Sequence, residues 1–311
     1  MPGARWRGLL RFFLPAWGAL LCSQVLSAAK EDKGTVWSGD VGIGLEWDSN
    51  VSVEELDAAS NKGDYAMVLD GGIGVSRDFE NRVGVDLTYD YSATLYKQYN
   101  QVDQQTHILG LNTGMDFKTV DPGFSLYYIN ARLDNHQFLD MYRASPALSG
   151  FISKKWFARG AYVYQDKSIH ERPGRDARTN ALEGDLYYFW RGLRSYFNLG
   201  YRYRDEDAKA NQYTYHSNGV KLRYIQRIEL FSRLTKLELA GRYERRRYQA
   251  DTPGIGEKRD DDRYRWRIDY EIPVFDSSVV QFYLGYADYQ SNYDPAAYDQ
   301  TLVGARFSYR W

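Results

Sequence analysis

Cysteine and histidine are scarce in this sequence of 311 residues, which contains one cysteine, Cys22, and four histidines. With so few of these residues, neither a disulfide framework nor a metal site of the Cys/His kind is expected, and no cofactor is predicted. No run of eighteen apolar residues occurs after the N-terminus, which excludes a transmembrane helix there. The 40 basic and 41 acidic residues nearly balance, which argues against a nucleic-acid partner. Proline is also rare, whereas tyrosine and glycine are abundant, and this composition favours strands over disorder.

The start of the chain has the three regions of a secretory signal peptide. Arg5, Arg7 and Arg11 form a basic segment, an apolar segment follows, and small residues then offer a cleavage site. Because the apolar run is short, a signal peptide is favoured over the alternative, a membrane anchor. We therefore predict a signal peptide over residues 1–29 and one exported domain over residues 30–311.

The rest of the chain alternates between apolar and polar residues with a period of two, which is the period of a β-strand. The clearest case places aromatic and aliphatic side chains on one face, namely Tyr264, Trp266, Ile268, Tyr270 and Ile272, and charges on the other, namely Arg263, Arg265, Arg267, Asp269 and Glu271. About fourteen such segments of ~10–14 residues occur, the length expected of outer-membrane strands. They centre near residues 41, 70, 88, 111, 130, 149, 162, 185, 200, 220, 239, 268, 284 and 305. The predicted fold class is all-β, a closed transmembrane antiparallel up-and-down β-barrel of about fourteen strands, with a soluble sandwich or solenoid as the alternative.

The connections between these segments also alternate. Those after the even segments are short, as at residues 154–155 and 192–194. Those after the odd segments are mostly longer and more polar, as at residues 48–63, 167–178 and 250–261. Short turns on the periplasmic side and long loops outside are typical of barrels in the outer membrane of Gram-negative bacteria, so we expect the chain in the cell outer membrane.

The last segment, "ARFSYRW", is predicted to turn Phe307, Tyr309 and Trp311 toward lipid, with Trp311 at the periplasmic aromatic girdle. This ending resembles the C-terminal signal by which the barrel assembly machinery recognises outer-membrane barrels. The resemblance implies that machinery as a partner during biogenesis. A barrel in this membrane also has outer-membrane lipid and lipopolysaccharide as neighbours.

Charged side chains on the other strand face are predicted to line the lumen and to set ion selectivity. The acidic candidates come from the early strands and are Asp40, Glu46, Asp86 and Asp90. The basic candidates come from later strands and are Arg202, Arg204, Arg223, Arg263, Arg265, Arg267, Arg306 and Arg310. Opposed acidic and basic walls would favour porin-like passage of small polar or ionic solutes. The alternative is that these charges pair with each other and fill the lumen.

An enzyme of the outer-membrane phospholipase A kind was considered for "YHSNG" at residues 215–219. In that family one spacer residue separates the histidine from the serine, so that both lie on the same face. Here His216 and Ser217 are adjacent, so a strand would place them on opposite faces. We therefore predict that the chain is not an enzyme.

The stretch "GIGLEWDSNVSV" at residues 42–53 resembles the barrel modules of surface lipoprotein assembly modifiers and of TPR-linked barrels that export polysaccharide. The resemblance implies an export or secretion conduit for a macromolecule, with periplasmic partners. In those families a periplasmic repeat region precedes the barrel, whereas here only a few residues separate the predicted cleavage site from the first strand. The stretch is also compatible with an ordinary polar turn. Three functions stay open: a porin-like channel, an export conduit and a non-conducting structural barrel.

Overall fold

The computed structural model of the protein describes residues 34–79, 82–117, 119–230 and 232–311. The predicted signal peptide lies outside these residues. None of the helices in the described part of the chain is long and apolar enough to cross a membrane.

The described residues form a closed antiparallel barrel of fourteen strands, which confirms the predicted fold class. Two short strands, β2 and β3, form a separate hairpin within the first connection. The strands are β1 (Thr35–Asp48), β2 (Ser52–Val53), β3 (Ala58–Ala59), β4 (Asp64–Asp78), β5 (Val83–Tyr96), β6 (Gln104–Met115), β7 (Asp121–Leu133), β8 (His136–Ser153), β9 (Trp156–Ile169), β10 (Ala177–Leu193), β11 (Ser195–Ala208), β12 (Tyr215–Leu230), β13 (Arg233–Thr252), β14 (Glu257–Phe275), β15 (Ser278–Ser291) and β16 (Tyr298–Arg310). Each barrel strand pairs with its neighbour in sequence, and β1 closes the barrel by pairing with both β4 and β16.

Single turns of 3-10 helix lie in the longer connections. They are Glu54–Leu56, Asn100–Val102, Pro173–Arg175, Asn211–Tyr213 and Asp294–Ala296. The first connection, residues 49–63, is the long one that the sequence predicts. The prediction of a long loop at residues 250–261 is wrong. Strand β13 extends to Thr252 and β14 begins at Glu257, so only residues 253–256 form the turn between them. Cross-strand partners of opposite charge, such as Asp251 and Lys258, continue the pairing there.

The side chains of the barrel strands alternate between an outer apolar face and an inner polar face. On β14, Trp266 is 60% exposed on the outer face, whereas Arg263 on the inner face is 2% exposed. Large apolar side chains cover the outside of the other strands in the same way, as at Leu45, Leu182 and Leu284. An exposed apolar belt around a closed barrel is the surface that a lipid bilayer covers.

The seam between β1 and β16 runs in register from Asp40 opposite Arg310 to Asp48 opposite Leu302. Beyond it, the Gly39 amide donates to the Trp311 carbonyl at 3.1 Å, and the Trp311 amide donates back to the Gly39 carbonyl at 3.0 Å. The Trp311 indole lies so close to Gly39 that a Cβ there would come within 2.3 Å of the ring. The absence of a side chain at Gly39 therefore leaves room for the indole of Trp311 at the seam.

Candidate functional site

The first connection does not extend away from the barrel but folds into its lumen. We call residues 49–63 the plug. Its core is the β2–β3 hairpin. Next to these strands, the Val51 amide donates to the Lys62 carbonyl at 3.0 Å and the Ser60 amide donates to the Val51 carbonyl at 2.9 Å. Val51 and Val53 are buried. The plug is therefore a folded unit packed against the barrel wall.

The base of the plug is tied to the barrel seam. The side-chain amide of Gln300 on β16 donates to both carboxylate oxygens of Asp48, each at 2.9 Å. The side-chain amide of Asn50 donates to the Asp299 carbonyl at 2.9 Å, and the Tyr96 hydroxyl donates to Asp48 at 3.0 Å. Asp48, Ser49 and Asn50 thus act as a structured entry to the plug, in addition to being favoured turn residues.

The tip of the plug is acidic and reaches the middle of β14. Glu54 accepts hydrogen bonds from Arg263 at 3.0 Å and from Arg265 at 2.6 Å, and lies 3.6 Å from Arg246 on β13. Arg263 and Arg265 belong, with Arg267, to the inward-facing arginines predicted on this strand, which we call the arginine ladder. In this structure the ladder binds a carboxylate of the plug, a contact that alternation along the strand could not show.

A second plug carboxylate, Asp57, is held by more cations. Arg259 donates to its two oxygens from two guanidinium nitrogens, each at 2.9 Å. Arg175, from the connection between β9 and β10, lies 3.0 Å away, and Arg263 lies 3.4 Å away. Such two-pronged contacts to a carboxylate fix both position and orientation. Asp57 is 8% exposed, so these contacts are largely shielded from water.

A third set of contacts joins the plug to the opposite wall. Glu55 accepts from the Lys167 ammonium on β9 at 3.1 Å, and the same ammonium lies 3.1 Å from Glu206. Arg175 donates to the main-chain carbonyls of Glu55 at 2.9 Å and of Leu56 at 3.3 Å. The plug therefore crosses the lumen and contacts the wall on both sides, from β9 to β14.

The arginines give the plug carboxylates strongly acidic character. Burial alone would raise the pKa of Glu54, but the charges of Arg265, Arg263 and Arg246 outweigh burial and lower that pKa to about 2. Burial opposes ionisation of Asp57 as well, and its contacts with Arg259, Arg263 and Arg175 hold its pKa below the usual range. Both side chains are therefore ionised at neutral pH.

Tyrosine rings support the guanidinium groups from the barrel wall. Arg263 and Arg265 lie over the ring of Tyr289 at 5.0 and 5.2 Å, and Arg259 lies over Tyr248 at 4.6 Å. Arginine over the face of an aromatic ring is attracted by the ring quadrupole and loses freedom of movement. The cations that receive the plug are therefore held in place by the wall itself.

Other predicted lumen cations have acidic neighbours. Arg202 lies 3.3 Å from Glu183, and Arg204 lies 3.8 Å from Glu244. Arg223 lies 3.0 Å from Glu238, Arg267 lies 2.9 Å from Asp269, and Arg306 lies 3.0 Å from Asp70. These contacts are those expected if inward charges pair across the lumen wall. A role of these arginines in selectivity stays a prediction.

The predicted acids lie on the wall formed by β1, β4 and β5. Asp40 is opposite Arg310 in the seam register, and Glu46 is opposite Gly304. Asp86 and Asp90 face Ser76 and Gly72 on β4. Their part in selectivity also stays a prediction. The predicted lipid-facing residues Phe307, Tyr309 and Trp311 are all exposed on the outside of the barrel.

The adjacent pair on β12 divides between the two faces. Ser217 is buried toward the lumen, where its hydroxyl donates to Glu244 at 2.9 Å. His216 lies on the outer face, opposite Asp205 on β11. Among the described residues, no group of histidine, cysteine, aspartate and glutamate side chains is arranged to hold a metal ion.

The plug residues are what the sequence reasoning missed. The carboxylates Glu54, Glu55 and Asp57 fell in a segment interpreted only as a polar loop. Their main partners outside the predicted set were also missed, namely Lys167, Arg175, Arg246 and Arg259. One signal was available in the sequence. The segment "EELD" at residues 54–57 concentrates negative charge, and the second half of the chain is rich in arginine that could bind it.

The barrel, its lipid-facing belt and its charged lumen define an outer-membrane β-barrel protein. The family described as surface lipoprotein assembly modifier matches residues 37–270, and the chain belongs to this family. The resemblance to surface lipoprotein assembly modifiers noted from residues 42–53 is thereby confirmed. A comparison with curated proteins found no significant match.

Solved structures with a similar fold are outer-membrane barrels. A loop L8 deletion mutant of OmpT from Vibrio cholerae has 8% sequence identity and a TM-score of 0.54, and the match covers 90% of this chain and 100% of that one. An anion-selective porin from Comamonas acidovorans has 8% identity and a TM-score of 0.53, with 89% of this chain and 99% of that one covered. At such low identity the likeness shows the fold alone.

Proposed function

We propose that this protein assists the placement of a lipoprotein on the cell surface, with its barrel as the part embedded in the outer membrane. Membership of the surface lipoprotein assembly modifier family supports this role. The role makes a lipoprotein the client and allows a periplasmic partner that delivers it. The long connections, including the plug, would face the outside.

The observation that supports the proposal beyond the family is the plug that crosses the lumen. Carboxylates of the plug reach cations on β9, β13 and β14, so they bridge the lumen between distant parts of the wall. A general porin needs a continuous aqueous path, whereas a conduit for occasional cargo needs closure between events. A plug held by charge contacts supplies such closure, because it can be displaced without unfolding the barrel.

Surface exposure of lipoproteins in intact cells tests this role. Cells that lack the protein and cells that carry it are treated with an external protease, and the surviving lipoproteins are quantified by mass spectrometry. We expect at least one lipoprotein to become resistant to protease in the deletion strain while its total amount is unchanged. If every lipoprotein keeps its exposure in the deletion strain, the proposed role is wrong.

Porin-like passage of small ions is the second candidate function, and the charged lumen favours it. Planar-bilayer recording separates the two. The proposed conduit predicts few openings of the wild-type protein and frequent openings once the plug residues 52–59 are deleted. Steady conductance steps from the wild-type protein would favour a porin. Silence of both proteins with an intact fold would favour a structural barrel.

A further inference from the structure

The cations that hold the plug form a defined group, which we call the arginine site. Its members come from β9, β13, β14 and the connection between β9 and β10, and are Lys167, Arg175, Arg246, Arg259, Arg263 and Arg265. They meet three plug carboxylates, those of Glu54, Glu55 and Asp57. Three carboxylates of the wall, those of Glu206, Glu244 and Asp261, contact these cations as well, so the plug supplies only part of the negative charge that balances the site.

Some hydrogen-bond donors beside the plug have no acceptor. The Nε atoms of Arg204, Arg246 and Arg263 are buried and have no hydrogen-bond partner among the described residues. A cavity of about 100 Å³, lined by Glu54, Asp57 and Arg246 among others, lies next to the plug. Buried donors without acceptors are unfavourable, so a ligand with additional acceptors would be bound more fully than the plug.

The way the plug binds shows which ligand chemistry the site fits. Carboxylates at three of four successive positions, Glu54, Glu55 and Asp57, each meet a different set of cations. The same cluster also binds the main chain of the plug, since Arg175 donates to the carbonyls of Glu55 and Leu56. An acidic saccharide offers negative charge but not amide carbonyls at this spacing. A ligand that offers both side-chain carboxylates and main-chain carbonyls to the same site is a peptide.

We propose that the arginine site is a receptor for an acidic peptide segment, and that residues 54–57 of the plug occupy it until such a segment replaces them. The proposal rests on the proposed function in one respect, because the segment would belong to the lipoprotein client. Replacement of the plug would then couple arrival of the client to opening of the lumen. The barrel would stay closed to small solutes at other times.

Competition with a tethered plug sets the conditions of the experiment. A segment attached by a short linker acts at an effective concentration on the order of millimolar. A free peptide is therefore best tested on a barrel whose own plug is weakened. The variant Glu54→Gln/Glu55→Gln/Asp57→Asn keeps the shape of the three side chains and removes their charge. Heat-modifiable gel mobility reports whether this variant is folded.

The probe is a fluorescent peptide with the plug sequence SVEELDAA, residues 52–59, and the matched control is SVQQLNAA. Fluorescence anisotropy with the folded variant in detergent measures both. We expect the acidic peptide to bind at least about tenfold more tightly than the neutral one, and to weaken as salt is added. The wild-type barrel, whose site is occupied, should bind the acidic peptide at least about tenfold more weakly than the variant.

Two results would overturn the proposal. One is equal affinity of the acidic and neutral peptides for the folded variant. The other is displacement of the acidic peptide by dextran sulfate of equal charge as effectively as by unlabelled peptide, which would make the site a general polyanion site.

A second measurement keeps the wild-type plug charges. Val53 is buried, so the thiol of a Val53→Cys variant, made with Cys22→Ser, should react slowly with a maleimide. Millimolar acidic peptide should accelerate labelling several-fold, and the neutral peptide should not. No acceleration would contradict replacement of the plug. Since these assays use purified protein, they can fail while the surface-exposure test succeeds, or succeed while it fails, so the two proposals are distinguishable.

Discussion

Removal of the Asp57 carboxylate should release the plug, and the structure allows the size of the effect to be worked out. Asp57 receives two hydrogen bonds of 2.9 Å from Arg259 and a contact of 3.0 Å from Arg175. Removing one partner of a buried ion pair costs about 3–5 kcal/mol when the other charge is left alone. Arg259 is not left alone, because Asp261 also accepts two hydrogen bonds from it, both at 2.7 Å. The lower end of that range, about 3 kcal/mol, is therefore the expected loss for Asp57→Ala.

A loss of about 3 kcal/mol corresponds to a shift of roughly 10²-fold in the ratio of docked to released plug. The assay is the rate of maleimide labelling at Val53→Cys, which is proportional to the released fraction as long as release is rare. The rate should rise by up to that factor in Asp57→Ala. It should level off where the plug is mostly released.

The matched control is Asp260→Ala on the outside of β14. Asp260 accepts two hydrogen bonds from Arg245, at 2.7 and 3.1 Å, so the chemistry of the pair resembles that of Asp57 and Arg259. Its side chain is 40% exposed, and such exposed pairs contribute about 0–1 kcal/mol. The control should label at the wild-type rate. Equal labelling of Asp57→Ala and Asp260→Ala would refute the reasoning that buried charge contacts hold the plug.

Three further outcomes follow from the same structure. The pKa of docked Glu54 is lowered from 4.5 to about 2, so the contribution of this carboxylate to plug docking is complete above pH 4.5 and is lost as the pH falls toward 2. Openings in bilayer recordings should therefore increase as the pH falls over that interval and stay rare at neutral pH. In a barrel without plug residues 52–59, Arg265→Glu/Arg267→Glu should shift the reversal potential toward cations, and an unchanged potential in a folded, conducting variant would exclude the ladder as a selectivity element. Gly39→Val should displace the tryptophan ring that covers the seam and lower the temperature of the heat-modifiable mobility shift, whereas Gly184→Val, with nothing within 4 Å of its added Cβ, is the control that should not.

The strands could be predicted from the sequence because two solvents act on every one of them. Lipid on one side and a polar lumen on the other impose alternation, as between Trp266 and Arg267. All fourteen predicted segment centres lie within barrel strands. The pattern fails at the start of β14. At residues 257–261 charged side chains lie on both strand faces, so alternation of apolar and polar residues carries no information about where the strands end.

The plug could not be predicted because its position depends on residues far apart in sequence. The contact of Asp57 with Arg259 joins positions 202 residues apart, and that of Glu54 with Arg265 joins positions 211 apart. Local turn chemistry at Asp48, Ser49 and Asn50 is satisfied whether the loop enters the lumen or extends outward. Arg263 and Arg265 bind Glu54, which comes from the first connection and not from another barrel strand. Only the closed barrel brings the first connection and β14 to the same place.

The position of the plug base gives its release a structural consequence at the seam. Asp48 is the last residue of β1, is fully buried, and binds Gln300 on β16. Asn50 binds the main chain of the same strand two residues further along the plug. The contacts that hold the base of the plug are thus also contacts between the first and last strands. Loss of the charge contacts at the tip leaves this base in place, so the tip can swing out while the barrel remains closed in the membrane. In the proposed function, a plug that moves at its tip and stays anchored at the seam would return to its site after each passage of cargo.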